Sequence, residues 1–507
     1  VFAVSQKKFA EFLNFGPRYP SNALDVLRER SGGVYLGHDA DGWCFTPAEQ
    51  SVMVLGPPRS GKTTSLVIPN VLAATGPVVS TSTKSDVLEA TNAVRTRVGD
   101  CWVFDPSGTT GGRGLAEVRW SPLQSCTTWL GSLAAAHALV TTSAGGAGWS
   151  GIRPDPSHWT ERAESLLGPL LHAASLAGGD MRTVLTWVDR RLALPAQQLL
   201  STQPGRGADL ARNLLDGIVA TDPRELSGIW STASGALGGF RSDQALEAAA
   251  DPTFDADRFV RSADTIYIAA PAHQQALVAP MVVGLLEDVR RAAYACSASS
   301  GQGADASRAR TVGRPVLLAL DELANIAPLP DLPAMVSEGG GQGVITLACF
   351  QDLSQARRRW PGQADGFPSL FGTTVVLPGI GDVRTLDALS QLAGEVEVPT
   401  RTRTAGRSLG DRPVVDLVAG GRPHVSESVS TQWRRRLPVD ALAQGAPNHA
   451  IAFDARNRPS WVPLAPSHRC EPWRSWRGLG LEHERPAPGL GLAHEVGMQT
   501  PGAGLER

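Results

Sequence analysis

Gly56-Pro57-Pro58-Arg59-Ser60-Gly61-Lys62-Thr63 fits the pattern G-x-x-x-x-G-K-[ST]. It follows a short apolar run, Ser51-Val52-Met53-Val54-Leu55, and precedes a predicted helix from about Lys62 to Ala74. That strand–turn–helix context is what phosphate binding requires. Glycines let backbone N–H groups converge on phosphate oxygens, and the helix N-terminus adds a favourable dipole. Lys62 is expected to reach the β- and γ-phosphates of ATP, and Thr63 to hold Mg²⁺. The basic residues strengthen the reading: of 47 Lys plus Arg, only Lys7, Lys8, Lys62 and Lys84 are lysines. A lysine kept in a chain that otherwise uses arginine is worth inspecting. Lys84 follows the second predicted strand, where a helix-cap surface role competes with support for the phosphate site.

Working outward, short apolar runs alternate with helical stretches. Pro77–Thr81 and Cys101–Phe104 read as strands and Ser85–Val98 as the helix between them. This alternation predicts a mostly parallel sheet covered on both faces. A Gly/Pro/Ser-rich loop covers 143–157, with helical periodicity from His158 to about Ala250, where Trp159, Ala163, Leu166, Leu167, Leu170 and Leu171 recur at three- and four-residue steps. Strands return at Thr265–Ala269, Val316–Leu320, Val344–Cys349 and Thr374–Leu377, with a helix at about 274–294 and a loop over 297–313. The fold expected is therefore α/β, a P-loop nucleotide-binding domain interrupted by an all-α insertion. Its parts are 1–142 (N-terminal strands, a short helix near 5–14 and the first half of the nucleotide-binding domain), 155–250 (the insertion), 255–464 (the second half) and 465–507 (a disordered tail).

The second chemical element is Val316-Leu317-Leu318-Ala319-Leu320-Asp321-Glu322. An apolar strand ending in two carboxylates presents acids at its C-terminal end. Asp321 is expected to bind Mg²⁺ and Glu322 to polarise the attacking water as general base. Gln351, at the end of the 344–350 run, is a candidate γ-phosphate sensor; a strand-end Gln bonded to a loop is the alternative.

Composition narrows the classes further. Of 507 residues, 42% are hydrophobic and 19% charged, with net charge −2. That is ordinary for a globular protein and leaves no global basic field to attract nucleic acid. Six scattered cysteines without a CxxC pair argue against a disulfide framework or zinc site and fit a reducing cytoplasm. No run of 18 apolar residues occurs, and the N-terminus has no signal-peptide pattern. Residues 401–436 hold eight Arg against three acids, a candidate for phosphate contact or a solvated face. The tail is rich in Pro, Gly and Arg and repeats G-L-G-L-E-H-E (478–484) as G-L-G-L-A-H-E (489–495), a composition expected to stay disordered.

Several blocks resemble the type IV secretion coupling proteins, the TraG/TraD-like conjugative DNA-transfer ATPases. They are Gly56–Thr64 with Ile68-Pro69-Asn70, Ser80–Asp86, Val103–Pro106, Trp120–Leu123, Leu320–Ile326 with Leu329-Pro330, and Cys349–Gln355. The resemblance implies a RecA-like motor interrupted by an all-α domain, with Thr64 joining the nucleotide-binding loop. It also implies a homo-hexameric ring that binds DNA, a relaxase or other secreted protein, and components of the secretion channel. Members commonly carry N-terminal membrane helices; here a peripheral place on the cytoplasmic face of the cell membrane is expected. An arginine common upstream of the strand-end Gln corresponds to Gly340, which implies either a slow ATPase or a replacement acting on a neighbouring subunit's site, with Arg357, Arg358, Arg359 and Arg384 as candidates and Arg384 the first choice. Two other readings share the nucleotide residues: an FtsK/HerA-like double-stranded DNA pump, and a docking platform that binds nucleotide without hydrolysing it.

Overall fold

The computed structural model describes residues 2–4, 33–38, 43–110, 114–144, 156–300, 314–407 and 423–481. The expected short helix near 5–14, most of the 143–157 and 297–313 loops and the second tail repeat lie outside them.

In chain order the strands are β1 (Phe2–Val4), β2 (Tyr35–His38), β3 (Trp43–Phe45), β4 (Val52–Leu55), β5 (Val78–Ser82), β6 (Cys101–Val103), β7 (Ala116–Glu117), β8 (Thr265–Ala269), β9 (Val316–Leu320), β10 (Val344–Phe350), β11 (Thr373–Val376), β12 (Glu395–Arg407), β13 (Pro423–Arg435), β14 (His449–Phe453) and β15 (Pro459–Pro463). Ten of them form one sheet in the order β15-β14-β11-β4-β10-β9-β5-β8-β6-β7. From β11 to β7 every pairing is parallel, and β14 and β15 add antiparallel at one edge.

The core strands are buried on both faces, which is why they read as continuous apolar runs rather than alternating ones. Met53 and Leu55 of β4 join one apolar cluster and Val52 and Val54 the other, as the two-residue period of a strand demands. On the second face lie α1 (Ile68–Ala73), which continues the turn after the phosphate loop, and α2 (Asp86–Arg95). The three-stranded sheet β1-β3-β2 caps them.

On the first face sits the helical unit. Its long helix α4 (Pro156–Leu176) packs against Met181–Asp189, Leu194–Thr202, Arg206–Val219 and Pro223–Ala236. Leu166, Leu167, Leu170 and Leu171 are fully buried there, as their spacing predicts. The unit is larger than the 155–250 expected. Helix α3 (Trp129–Ala144), placed by the sequence reading within 1–142, lies along α4, and the turn Pro122–Thr127 packs with both. A long helix α5 (Gln275–Ser300) ties the unit to the large sheet and continues six residues past the predicted end, into the expected loop.

The tail also needs correction. Residues 465–477 are packed, not disordered: α7 (Trp473–Leu481; α6, Val383–Leu392, precedes it) rests on α2. Trp473 and Trp476 are buried, 5.1 Å apart edge to face, and Trp473 meets the rings of Tyr35 and Trp43 at 5.0 and 5.7 Å. Burial of two indoles outweighs the Pro/Gly/Arg composition around them. Finally, the Arg-rich segment forms an exposed antiparallel ribbon, β12 with β13, which stands apart from the large sheet.

Candidate functional site

The phosphate loop begins where β4 stops. The Gly56 N–H donates to the Phe350 carbonyl at 3.1 Å, so β4 and β10 stay paired up to the loop. A Cβ on Gly56 would lie 2.7 Å from Ser60 Oγ and 3.0 Å from Leu377 Cβ, so a side chain there would have to displace Ser60. Arg59 (φ 65°) and Gly61 (φ 95°) take left-handed backbone, curling the chain into a cradle. A non-glycine residue held there stores of order 1–3 kcal/mol, the kind of strain found at ligand clamps. Ser60 Oγ is buried in this cradle without a hydrogen-bond partner.

Lys62 is 6% exposed and folds back over the loop, donating from Nζ to the carbonyls of Gly56 (2.5 Å) and Pro57 (3.0 Å). Thr63 Oγ1 donates to Asp321 Oδ2 at 2.6 Å, across 258 residues of sequence. Asp321 sits at the end of β9, 6% exposed, and is fixed further by Thr81 of β5, whose Oγ1 donates to the Asp321 carbonyl at 3.0 Å. Burial pushes the Asp321 carboxyl above the usual carboxylate range; the Thr63 hydrogen bond and the Lys62 charge oppose that rise.

Glu322 follows at φ 56°, ψ 42°, a left-handed conformation unusual for glutamate. This twist turns the chain sharply out of β9. Asn325 Nδ2 approaches Glu322 Oε2 at 3.4 Å. Gln351 directly follows β10; since Phe350 is in register with Leu55, Gln351 and Gly56 stand side by side at the sheet edge. Its N–H is held by Gln355 Oε1 at 3.0 Å.

Gly56–Thr64, Asp321, Glu322 and Gln351 thus converge at the C-terminal edge of β4, β9 and β10. Arg384 does not join them: it lies on α6, 67% exposed, in a 2.7 Å ion pair with Asp365. Lys84 is exposed at the start of the turn into α2. Gly340 is set against the chain before β4, where a Cβ would fall 2.0 Å from the Glu49 carbonyl oxygen, so no side chain fits without moving backbone. Thr81 was not singled out from sequence, since a threonine inside a strand carries no local signal. The donor set fits a nucleotide with a hard cation: hydroxyl and carboxylate oxygens for Mg²⁺, and backbone N–H groups with an ammonium for phosphate.

A parallel sheet with this loop after a central strand, and an acid pair ending the strand two places away, defines a RecA-like P-loop architecture. The family model described as "Type IV secretory system Conjugative DNA transfer" matches residues 6–412, and the chain belongs to that family. The conjugal transfer protein TraG of Escherichia coli is 25% identical over 441 residues, which cover 80% of this chain and 65% of that protein's length. The solved bacterial conjugative coupling protein TrwBdeltaN70, in its unbound form, superimposes with a TM-score of 0.60 at 16% identity, covering 87% of this chain and 90% of that one. TrwB in complex with ADP and Mg²⁺ gives a TM-score of 0.56 at 16% identity, covering 84% and 87%. These two likenesses are likenesses of fold.

Proposed function

We propose that this chain is an ATP-hydrolysing DNA translocase, the coupling protein that delivers conjugative DNA with its relaxase to a type IV secretion channel. It works as a homo-hexameric ring at the cytoplasmic face of the cell membrane; among the described residues no helix is long and apolar enough to cross a membrane. Family membership supports the DNA-transfer role. The observation that carries the ATPase reading is the Thr63–Asp321 hydrogen bond, which joins the phosphate loop to the acid-bearing strand.

Each residue has a part in that reading. Gly56, Pro57 and Pro58 shape the loop, backbone N–H groups within Arg59–Thr64 bind the phosphates, and Lys62 exchanges its two carbonyl partners for β- and γ-phosphate oxygens. Thr63 and Asp321 would hold Mg²⁺, which would supply charge to neutralise the phosphate oxygens. Glu322 accepts a proton from the attacking water, and Gln351 orients that water or senses the γ-phosphate. Arg384, freed from a surface ion pair worth only about 0–1 kcal/mol, reaches the site of the neighbouring subunit.

A docking platform that binds nucleotide without turnover has one observation in its favour: the packing of Gly340 against Glu49 leaves no room for an arginine there. ATP turnover by the purified chain, with and without single- or double-stranded DNA, decides. Turnover that Lys62→Ala abolishes and DNA stimulates supports the motor. Nucleotide binding with turnover no faster than Glu322→Gln would leave only the platform.

A further inference from the structure

The turn that follows Lys62 is not α-helical. Thr63–Val67 is a π turn, closed by the Ile68 N–H donating to the Thr63 carbonyl, five residues back. Single π turns inside helices are frequent at functional sites. Continuing the same pattern would give the Thr64 carbonyl the N–H of residue 69. Residue 69 is Pro69, which has none. The π turn and Pro69 together leave the Thr64 carbonyl without a helical partner.

That carbonyl is nonetheless satisfied. The backbone N–H of Ser467 donates to it at 2.8 Å, from the segment that follows β15. Ser467 is fully buried, and its own Oγ accepts from Arg477 Nη1 of α7 at 3.3 Å. The segment is anchored beyond Ser467 by Trp473 and Trp476. A second clamp holds the same helix from the N-terminal side. Asn70 Oδ1 accepts from the Tyr35 N–H and Asn70 Nδ2 donates to the Tyr35 carbonyl, both at 2.8 Å.

We propose that the Ser467 N–H is a positioning group for the phosphate loop: it fills the carbonyl that the π turn and Pro69 leave open, and so holds Gly61–Val67 ready for phosphate. The C-terminal segment thereby becomes part of the nucleotide site without touching nucleotide. The consequence for binding rests on the nucleotide-binding reading above; the structural link does not. Without the donor, the ready conformation is populated less, and apparent affinity falls by that fraction. Saturating nucleotide pulls the loop back, so turnover at saturation is spared.

The test uses backbone chemistry. Ser467→Pro removes the N–H, and Ser467→Ala keeps it. Proline suits the position, because Ser467 is the second residue of the turn in which the Arg469 N–H donates to the Pro466 carbonyl. Pro69→Ala supplies the missing N–H from within the helix. In the nucleotide-free chain, amide exchange across residues 61–68 is expected to be about tenfold faster in Ser467→Pro, the order set by one lost buried hydrogen bond. Ser467→Ala should match wild type, and the Pro69→Ala/Ser467→Pro double variant should return to within about threefold of it.

With a fluorescent ADP, the apparent Kd of Ser467→Pro should rise by the factor by which the ready fraction falls, at most about the same tenfold. Its KM for ATP should rise alike while kcat stays within about twofold. Equal exchange in Ser467→Pro and Ser467→Ala overturns the proposal, as does a double variant that is not rescued. In the wild-type chain the Ser467 amide must itself exchange slowly, in step with the π turn. Free exchange there overturns the proposal even if Ser467→Pro does not fold. A wild-type chain that binds no ADP would sink the nucleotide-binding reading, while the exchange experiments still judge the link.

Discussion

Replacing Arg95 with lysine should cost this protein a large part of its stability while keeping the charge. Arg95 ends α2 and is fully buried. Its Nε donates to Thr265 Oγ1 (2.7 Å), Nη1 to the Ala74 carbonyl (2.5 Å), and Nη2 to the carbonyls of Gly76 (3.0 Å) and Ala263 (2.8 Å). These acceptors lie where the chain enters β5 and β8, so one guanidinium pins the entry of two neighbouring strands. Burial lowers the guanidinium pKa, yet an arginine remains protonated. A lysine nitrogen is a single point and cannot serve four acceptors facing three different nitrogens. Losing two of the four bonds, each charge-assisted and worth ~1.5–3 kcal/mol, predicts a loss of about 3–6 kcal/mol. That is a third or more of the stability of many domains. Urea unfolding followed by tryptophan fluorescence should show a lower midpoint with an unchanged slope. Nucleotide affinity of the folded protein should not move, because Arg95 sits at the opposite edge of the sheet from Asp321. A loss below about 1 kcal/mol would refute the claim that guanidinium geometry, rather than charge, holds this corner.

Four further outcomes are expected. Lys62→Ala should keep the fold by circular dichroism but lose ADP binding or ATP turnover. Glu322→Gln should bind ATP and hydrolyse it ~10²-fold more slowly or worse; loss of binding too would point to a structural role for the left-handed turn. Ending the chain after Leu464 removes Trp473 and Trp476 and should cost at least the ~3–5 kcal/mol typical of one deleted core aromatic, read as a lower thermal midpoint than that of a chain ended after Leu481. Arg384→Ala should depress turnover without weakening ATP affinity, and mixing it with Lys62→Ala subunits should restore part of the activity; mixed rings with no recovery would remove Arg384 from the mechanism.

The parts legible from sequence are those whose physics is local. The phosphate loop, the acid pair and the core strands each write their constraint into a few adjacent residues: glycine where φ must be positive, apolar runs where both faces are covered. What escaped depends on distant partners. Trp473 and Trp476 sit in a stretch whose composition resembles solvent-exposed tails, and distant partners, Tyr35, Trp43 and helix α2 among them, make a core of them. Helix α3 is built largely of small apolar residues with little periodicity, so nothing marked its packing against α4. In β12 and β13, alternation such as Thr400-Arg401-Thr402-Arg403 puts polar side chains on both faces, which erases the strand signal. Gly340 was conspicuous as a missing arginine, but its close approach to the Glu49 carbonyl is a fact of tertiary packing alone.

The span between Thr63 and its partner sets an order of assembly. The phosphate loop leaves the ribosome early, yet Asp321 follows 258 residues later, after the whole helical unit. At about 5–20 residues per second, that gap lasts roughly 10–50 s. Throughout it, β4 lacks both of its neighbours, β10 and β11, which come later still. The loop therefore spends its first seconds beside an unpaired apolar strand, the kind of exposed edge that invites mispairing. The helical unit, made of local contacts, can fold in that interval and wait. The Thr63–Asp321 contact cannot form before β9 is made, and the loop gains both strand neighbours only when β10 and β11 arrive.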